Sequence, residues 1–132
     1  MPSHANMCSM TSQGSPHARL QRAIASRNAP VAWATASELP YVSLDDALAL
    51  CLLLAESDPA RFERAAVRWH ARLCREVGGL TIDESALALS ALRALPGGGG
   101  AAGVQALAAI CERHGLHQAE ARLEEWLVRR AA

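Results

Sequence analysis

The sequence predicts an all-α fold, and three observations carry that reading. Alanine fills 28 and leucine 18 of the 132 positions, so the two strongest apolar helix formers dominate the chain. Aromatic residues make up only 4%, which withholds side chains that favour strands. Ser, Thr, Asp or Asn repeatedly stands just before an apolar stretch and Gly or Pro just after it, the punctuation of helix starts and stops. The expected architecture is a compact helical bundle or a short stack of helical hairpins, about six to seven helices in a single domain over 16–132. A disordered tail at 1–15 precedes it, because that stretch is small, polar and aperiodic. A chain of 132 residues buries roughly two thirds of its unfolded surface, enough for a core without staples.

Taken in order, Ser15 caps a first helix with Pro16 at its first position, running to about Arg27. A short second helix covers 30–39 and is closed by Pro40. Ser43 caps a third that runs to Glu56, with Asp45 and Asp46 in the first turn where they complement the helix dipole. Its all-round hydrophobicity marks it as the central, buried helix. Asp58-Pro59 opens a fourth and longest helix to Val77, stopped by Gly78-Gly79. Thr81 and Glu84 form a capping-box pattern at the head of a fifth, which ends before Pro96. The glycine run 97–100 reads as a linker. A sixth helix follows over 101–114 with Gly115 as its stop, and a seventh over 116–130.

Thirteen cations balance 13 acids, so no global basic field recruits nucleic acid or a membrane. Every cation is arginine, which excludes a Schiff-base lysine and a P-loop lysine. The longest apolar run, 47–55, is far short of the roughly 20 residues that span a bilayer. The first residues lack the positive and apolar regions of an export signal, and the four cysteines contain no CxxC spacing. These features point to a reducing cytoplasm.

Residues 42–54 (VSLDDALALCLLL) and 80–92 (LTIDESALALSAL) share a cap, an acidic first turn and an Ala/Leu core, in the size range of helical-hairpin repeats. The same features suit any short helix in an alanine-rich chain. The string LPYVSLDDALALCLLLAESDPARFERAAVRWHARL, with Pro40, the Ser43 cap, Asp58-Pro59, Arg61-Phe62 and Ala65-Ala66-Val67-Arg68-Trp69, resembles Ala- and Arg-rich helical proteins of unknown function from high-GC actinobacteria. The likeness spans about 17–95. It implies a bacterial cytoplasmic origin, and the missing lysines agree with a GC-rich genome. It implies no catalytic motif.

On the fourth helix, Arg61, Arg64, Arg68, Arg72 and Arg75 fall within a band about 80° wide at 100° per residue. Phe62, Ala66, Trp69, Leu73 and Val77 form the neighbouring core face. Five guanidiniums on one face suit oxyanions, whether phosphate backbones or the carboxylates of an acidic protein surface. A solvated face neutralised by Glu124, Glu125, Asp45 and Asp46 is the plainer account. Against nucleic acid stand the zero net charge and the lack of a helix-turn-helix, RNA-binding or zinc-finger signature.

His70 and Cys74 lie four apart on the fourth helix, and Cys111 and His114 three apart on the sixth. If those faces met, they would make a two-Cys, two-His tetrahedral metal site; otherwise each cysteine is a small buried hydrophobe. No nucleophile elbow, zincin motif or phosphate-cradling loop is present, so no catalytic residue and no cofactor is assigned. Trp69 belongs to the core face, while Trp126 on the last helix is a candidate apolar anchor. The expected role is a non-catalytic protein-interaction or assembly module, binding another protein or itself. The rival is a small nucleic-acid-binding regulator using the same arginines.

Overall fold

The computed structural model describes residues 15–97 and 100–131. The expected tail up to residue 14 and the middle of the glycine linker, 98–99, lie outside the described residues, and Ser15, the last residue assigned to the tail, is the α1 cap. Every described element is helical: α1 (Pro16–Ala25), α2 (Ala29–Glu38), α3 (Leu44–Ser57), α4 (Pro59–Glu76), α5 (Ile82–Ala94), α6 (Ala101–Arg113) and α7 (His117–Ala131). The protein is an all-α bundle, and each helix begins within about a residue of its expected start. Chain contacts divide it into two units, Met1–Val42 and Ser43–Ala132.

In the first unit, α1 packs on α2. Ser15 Oγ accepts from the Ala18 N–H at 3.4 Å and Asn28 Oδ1 from the Val31 N–H at 3.2 Å, so each helix starts on a side-chain cap. The turn between them closes with the Asn28 N–H donating to Ala23 O at 2.8 Å, which puts Arg27 in the left-handed region at φ 60°. Glycine is the residue suited to that position.

In the second unit, each helix packs on its successor and α7 returns onto α3, closing a ring of five. All residues over 48–55 are buried, as the hydrophobic run required. On α4 the buried side chains are Phe62, Ala66, Trp69 and Leu73, four apolar positions on one face. Val77, expected to extend that face, is only half-buried, because the helix has ended at Glu76 and Val77 is already extended backbone. Trp69 is 1% exposed, and its indole Nε1–H donates to Leu44 O at 2.8 Å, pinning α4 to the first turn of α3.

The α5–α6 pair approaches closely at Gly103, where a Cβ would lie 3.1 Å from Ala91 Cα. A ring contact between α3 and α7 is polar. Asp46 is 2% exposed, and its Oδ1 accepts from Arg122 Nη2 at 3.0 Å. The two stretches that look alike in sequence occupy different surroundings. The Ala/Leu core of α3 is enclosed, whereas α5 leaves Leu87 and Leu89 exposed at 43% and 41%.

Candidate functional site

The α4 arginines separate into two groups. Arg61 pairs with Asp58 Oδ2 at 3.6 Å, and Arg72 Nε donates to Glu76 Oε2 at 2.8 Å with its side chain largely covered. Arg64, Arg68 and Arg75 are exposed and form no ion pair among the described residues. At 100° per residue those three lie within an arc of about 40°. Val67, 61% exposed, stands beside them one turn beyond Arg64. The acids expected to neutralise the stripe are partly committed elsewhere: Asp46 and Glu125 both face Arg122, at 3.0 and 4.0 Å. The surface is therefore a cationic patch with one apolar side chain in it.

The two Cys/His pairs do not meet. Among the described residues no group of three or more His, Cys, Asp or Glu is placed to hold a metal ion. The reason lies in two successive residues of α5, which stands between α4 and α6. Ser85 takes His70 on one side, with Ser85 O 2.9 Å from His70 Nε2. Glu84 takes His114 on the other, with Glu84 Oε1 2.9 Å from His114 Nε2. Cys111 is fully buried in α6, the plain hydrophobe of the alternative reading. Cys74 is exposed, with its Sγ 3.2 Å from Ser85 Oγ and 3.8 Å from His70 Nε2.

Glu84 carries more than its cap. The capping box is complete: the Glu84 N–H donates to Thr81 Oγ1 and the Thr81 N–H to Glu84 Oε1, both at 3.0 Å. Arg113 Nε donates to the other carboxylate oxygen at 3.0 Å. The Thr81 N–H, then His114 and Arg113, all favour the charged carboxylate and hold its pKa down from 4.5 to about 2. In the window between those values the unfolded chain binds the proton and the folded chain does not, so stability rises with pH and is complete above it. Melting temperature measured against pH is expected to fall from pH 5 towards 2 more steeply in the wild-type chain than in Glu84→Gln. Parallel curves would show that the clasp contributes nothing.

Trp126 lies in the core at 4% exposure, with Arg130 5.1 Å from its ring centroid. It is not available as a surface anchor. Sequence reading identified the arginine face, the capping box and the His/Cys spacing but missed Ser85, Arg113 and the Asp46–Arg122 pair. Nothing local to those residues signals a partner 15 to 76 positions away. No helix among the described residues is long and apolar enough to cross a membrane. No family model, curated protein or solved structure matches the chain.

Proposed function

We propose that this chain is a non-catalytic protein-interaction or assembly module of a bacterial cytoplasm, docking an acidic surface of a partner protein onto α4. The observation that carries the reading is the exposed trio Arg64, Arg68 and Arg75, left without ion pairs among the described residues while Arg61 and Arg72 at the edges are paired. Guanidiniums keep their charge at any physiological pH and bind carboxylates bidentately. Val67 among them adds the apolar contact that a protein surface meets and a phosphate backbone does not use. The bacterial setting follows the actinobacterial resemblance and the arginine-only cations.

The test compares the wild-type chain with a triple variant, Arg64→Glu, Arg68→Glu and Arg75→Glu, as bait in native lysate with and without nuclease. All three positions face solvent, so the variant is expected to melt close to the wild type. The expected result is one specific protein recovered equally in both lysates and lost from the variant. Self-association on this face would appear as a wild-type dimer in size-exclusion chromatography that the variant lacks. Recovery of nucleic acid, its proteins lost after nuclease and its affinity falling steeply with salt, would instead establish the nucleic-acid regulator.

A further inference from the structure

Large apolar side chains scattered singly over a surface are ordinary, but on α5 they stand in a row. Ile82, Ala86 and Leu89, at i, i+4 and i+7, are all exposed, Ile82 at 87%. At 100° per residue the three span an arc of about 60° and roughly 10 Å of helix, and the exposed Arg93 ends the same row. The buried Ala88, Ala91 and Leu92 take the other side of α5. Leu87, also exposed, lies outside the row, about 100° round from Ala86.

The apolar surface continues onto α4. Cys74 is exposed and its Sγ lies 3.2 Å from Ser85 Oγ, so these two residues mark the seam where the helices touch. Turning from Ser85 away from the core, Leu89 and Ile82 come next, about 40° and 60° round. Turning from Cys74 away from the α4 core, the exposed Val67 and Ala71 come next, about 20° and 60° round, and the arginines 64, 68 and 75 lie beyond them. The joint surface has an apolar strip on each side of its seam and a cationic rim on α4. Glu63, exposed one turn before Val67, offsets part of that charge and leaves the three arginines in excess. The far rim, on α5, carries the exposed Asp83 instead.

We propose that the α4–α5 surface seats an amphipathic helix of a partner protein, its apolar stripe on Ile82, Ala86, Leu89 and Val67 and its acidic edge facing Arg64, Arg68 and Arg75. The inference rests on the docking of an acidic partner onto α4 and states what that partner presents. The backbone dictates a helix. The N–H and C=O groups of α4 and α5 are spent in their own ladders, so an extended segment would find no edge to pair with and would lay unpaired backbone on an apolar strip. A docked helix brings its own hydrogen bonds and offers side chains at i, i+4 and i+7, the spacing of the α5 row. Charge selects the occupant. The first 15 residues of this chain contain no Asp or Glu, so they supply no acidic edge. A second copy offering α7, where Glu124 and Val128 are exposed, would also bring Arg129 and Arg130 of its last turn towards the α4 arginines.

The probe is a fluorescein-labelled synthetic helix of about five turns, with leucines along one stripe and glutamates along one edge, titrated with the folded full-length chain and read by anisotropy. The control peptide has lysines in place of the glutamates. The glutamate peptide is expected to bind, and the lysine peptide to bind about tenfold more weakly or less. Ile82→Gln with Leu89→Gln removes apolar area without adding charge and is expected to weaken the glutamate peptide by about tenfold. The Arg64→Glu, Arg68→Glu, Arg75→Glu variant is expected to do the same, whereas Leu87→Gln, outside the row, leaves affinity within about twofold. Circular dichroism accompanies each variant, since glutamine suits exposed helical positions. No binding of the glutamate peptide, equal binding of the two peptides, or an affinity untouched by Ile82→Gln with Leu89→Gln would overturn the proposal. So would a wild-type dimer in sedimentation that those two substitutions dissociate, which would give the surface to a second copy. The two readings fail separately in native lysate. A partner lost from the arginine variant but kept by Ile82→Gln with Leu89→Gln leaves acidic docking standing without the helix, and one kept by the arginine variant removes the docking itself.

Discussion

Trp69→Ala is expected to destabilise the second unit by about 3 to 5 kcal/mol, the usual cost of emptying a fully enclosed aromatic site. Trp69 is 1% exposed, so the truncation leaves a cavity between helices and not a dent in the surface. It also removes the indole donor that holds Leu44 O at 2.8 Å. For a unit of this size each kcal/mol corresponds to roughly 4 to 8 °C of melting temperature, which places the shift well above the error of a thermal scan. Trp69→Phe separates the two contributions. It keeps much of the packing and drops the hydrogen bond, and is expected to cost less than half as much. Equal losses in the two variants would show that the hydrogen bond, and not the volume, holds α4 to α3.

The second large effect is expected at the Asp46–Arg122 pair, with an order that solvent exposure dictates. The Asp46 side chain is 3% exposed and that of Arg122 25%. Removing one partner of a buried ion pair costs roughly 3 to 5 kcal/mol, because the remaining charge is left in a medium that solvates it poorly. Arg122→Ala leaves the more deeply buried charge behind and should lie at the upper end. Asp46→Ala leaves a guanidinium that still reaches water and should lie at the lower end. Replacing both with leucine should recover most of the loss, since an apolar pair of similar bulk needs no solvation. Urea denaturation of the wild type, the two alanine variants and the Asp46→Ala/Arg122→Ala double variant closes the double-mutant cycle, with the double leucine variant measured beside it. Additive single losses would mean that the two residues act independently.

Elements were legible where the controlling interaction is local. Ser15, Ser43, Asp58 and Thr81 all cap the helices they were expected to open, because a cap needs only a side-chain oxygen and an N–H three residues on; Asn28, which caps α2, went unread although it obeys the same rule. The buried face of α4 was legible too, since a period of 3.6 residues brings Phe62, Ala66, Trp69 and Leu73 to one side in any environment. Periodicity also brought the arginines together, but it could not separate those that pair from those that stay open. Arg72 bends to Glu76 one turn on, whereas Arg64, Arg68 and Arg75 have no such acid in place.

The candidate metal site illustrates the opposite case. His70 with Cys74 and Cys111 with His114 each satisfied the spacing rule within one helix, yet a four-ligand site depends on where two helices lie in space. The placement of α5 decided it. Glu84 and Ser85, about 100° apart on that helix, draw the two histidines to opposite sides. The burial of Trp126 and the pairing of Asp46 with Arg122 were decided in the same way. By itself the sequence determined the helices, their caps and their apolar and cationic faces, because those follow from interactions reaching no further than a turn. Tertiary structure alone decided which charges are spent, which thiol meets solvent and which histidine meets which partner, because a side chain's chemistry depends on neighbours that only packing supplies.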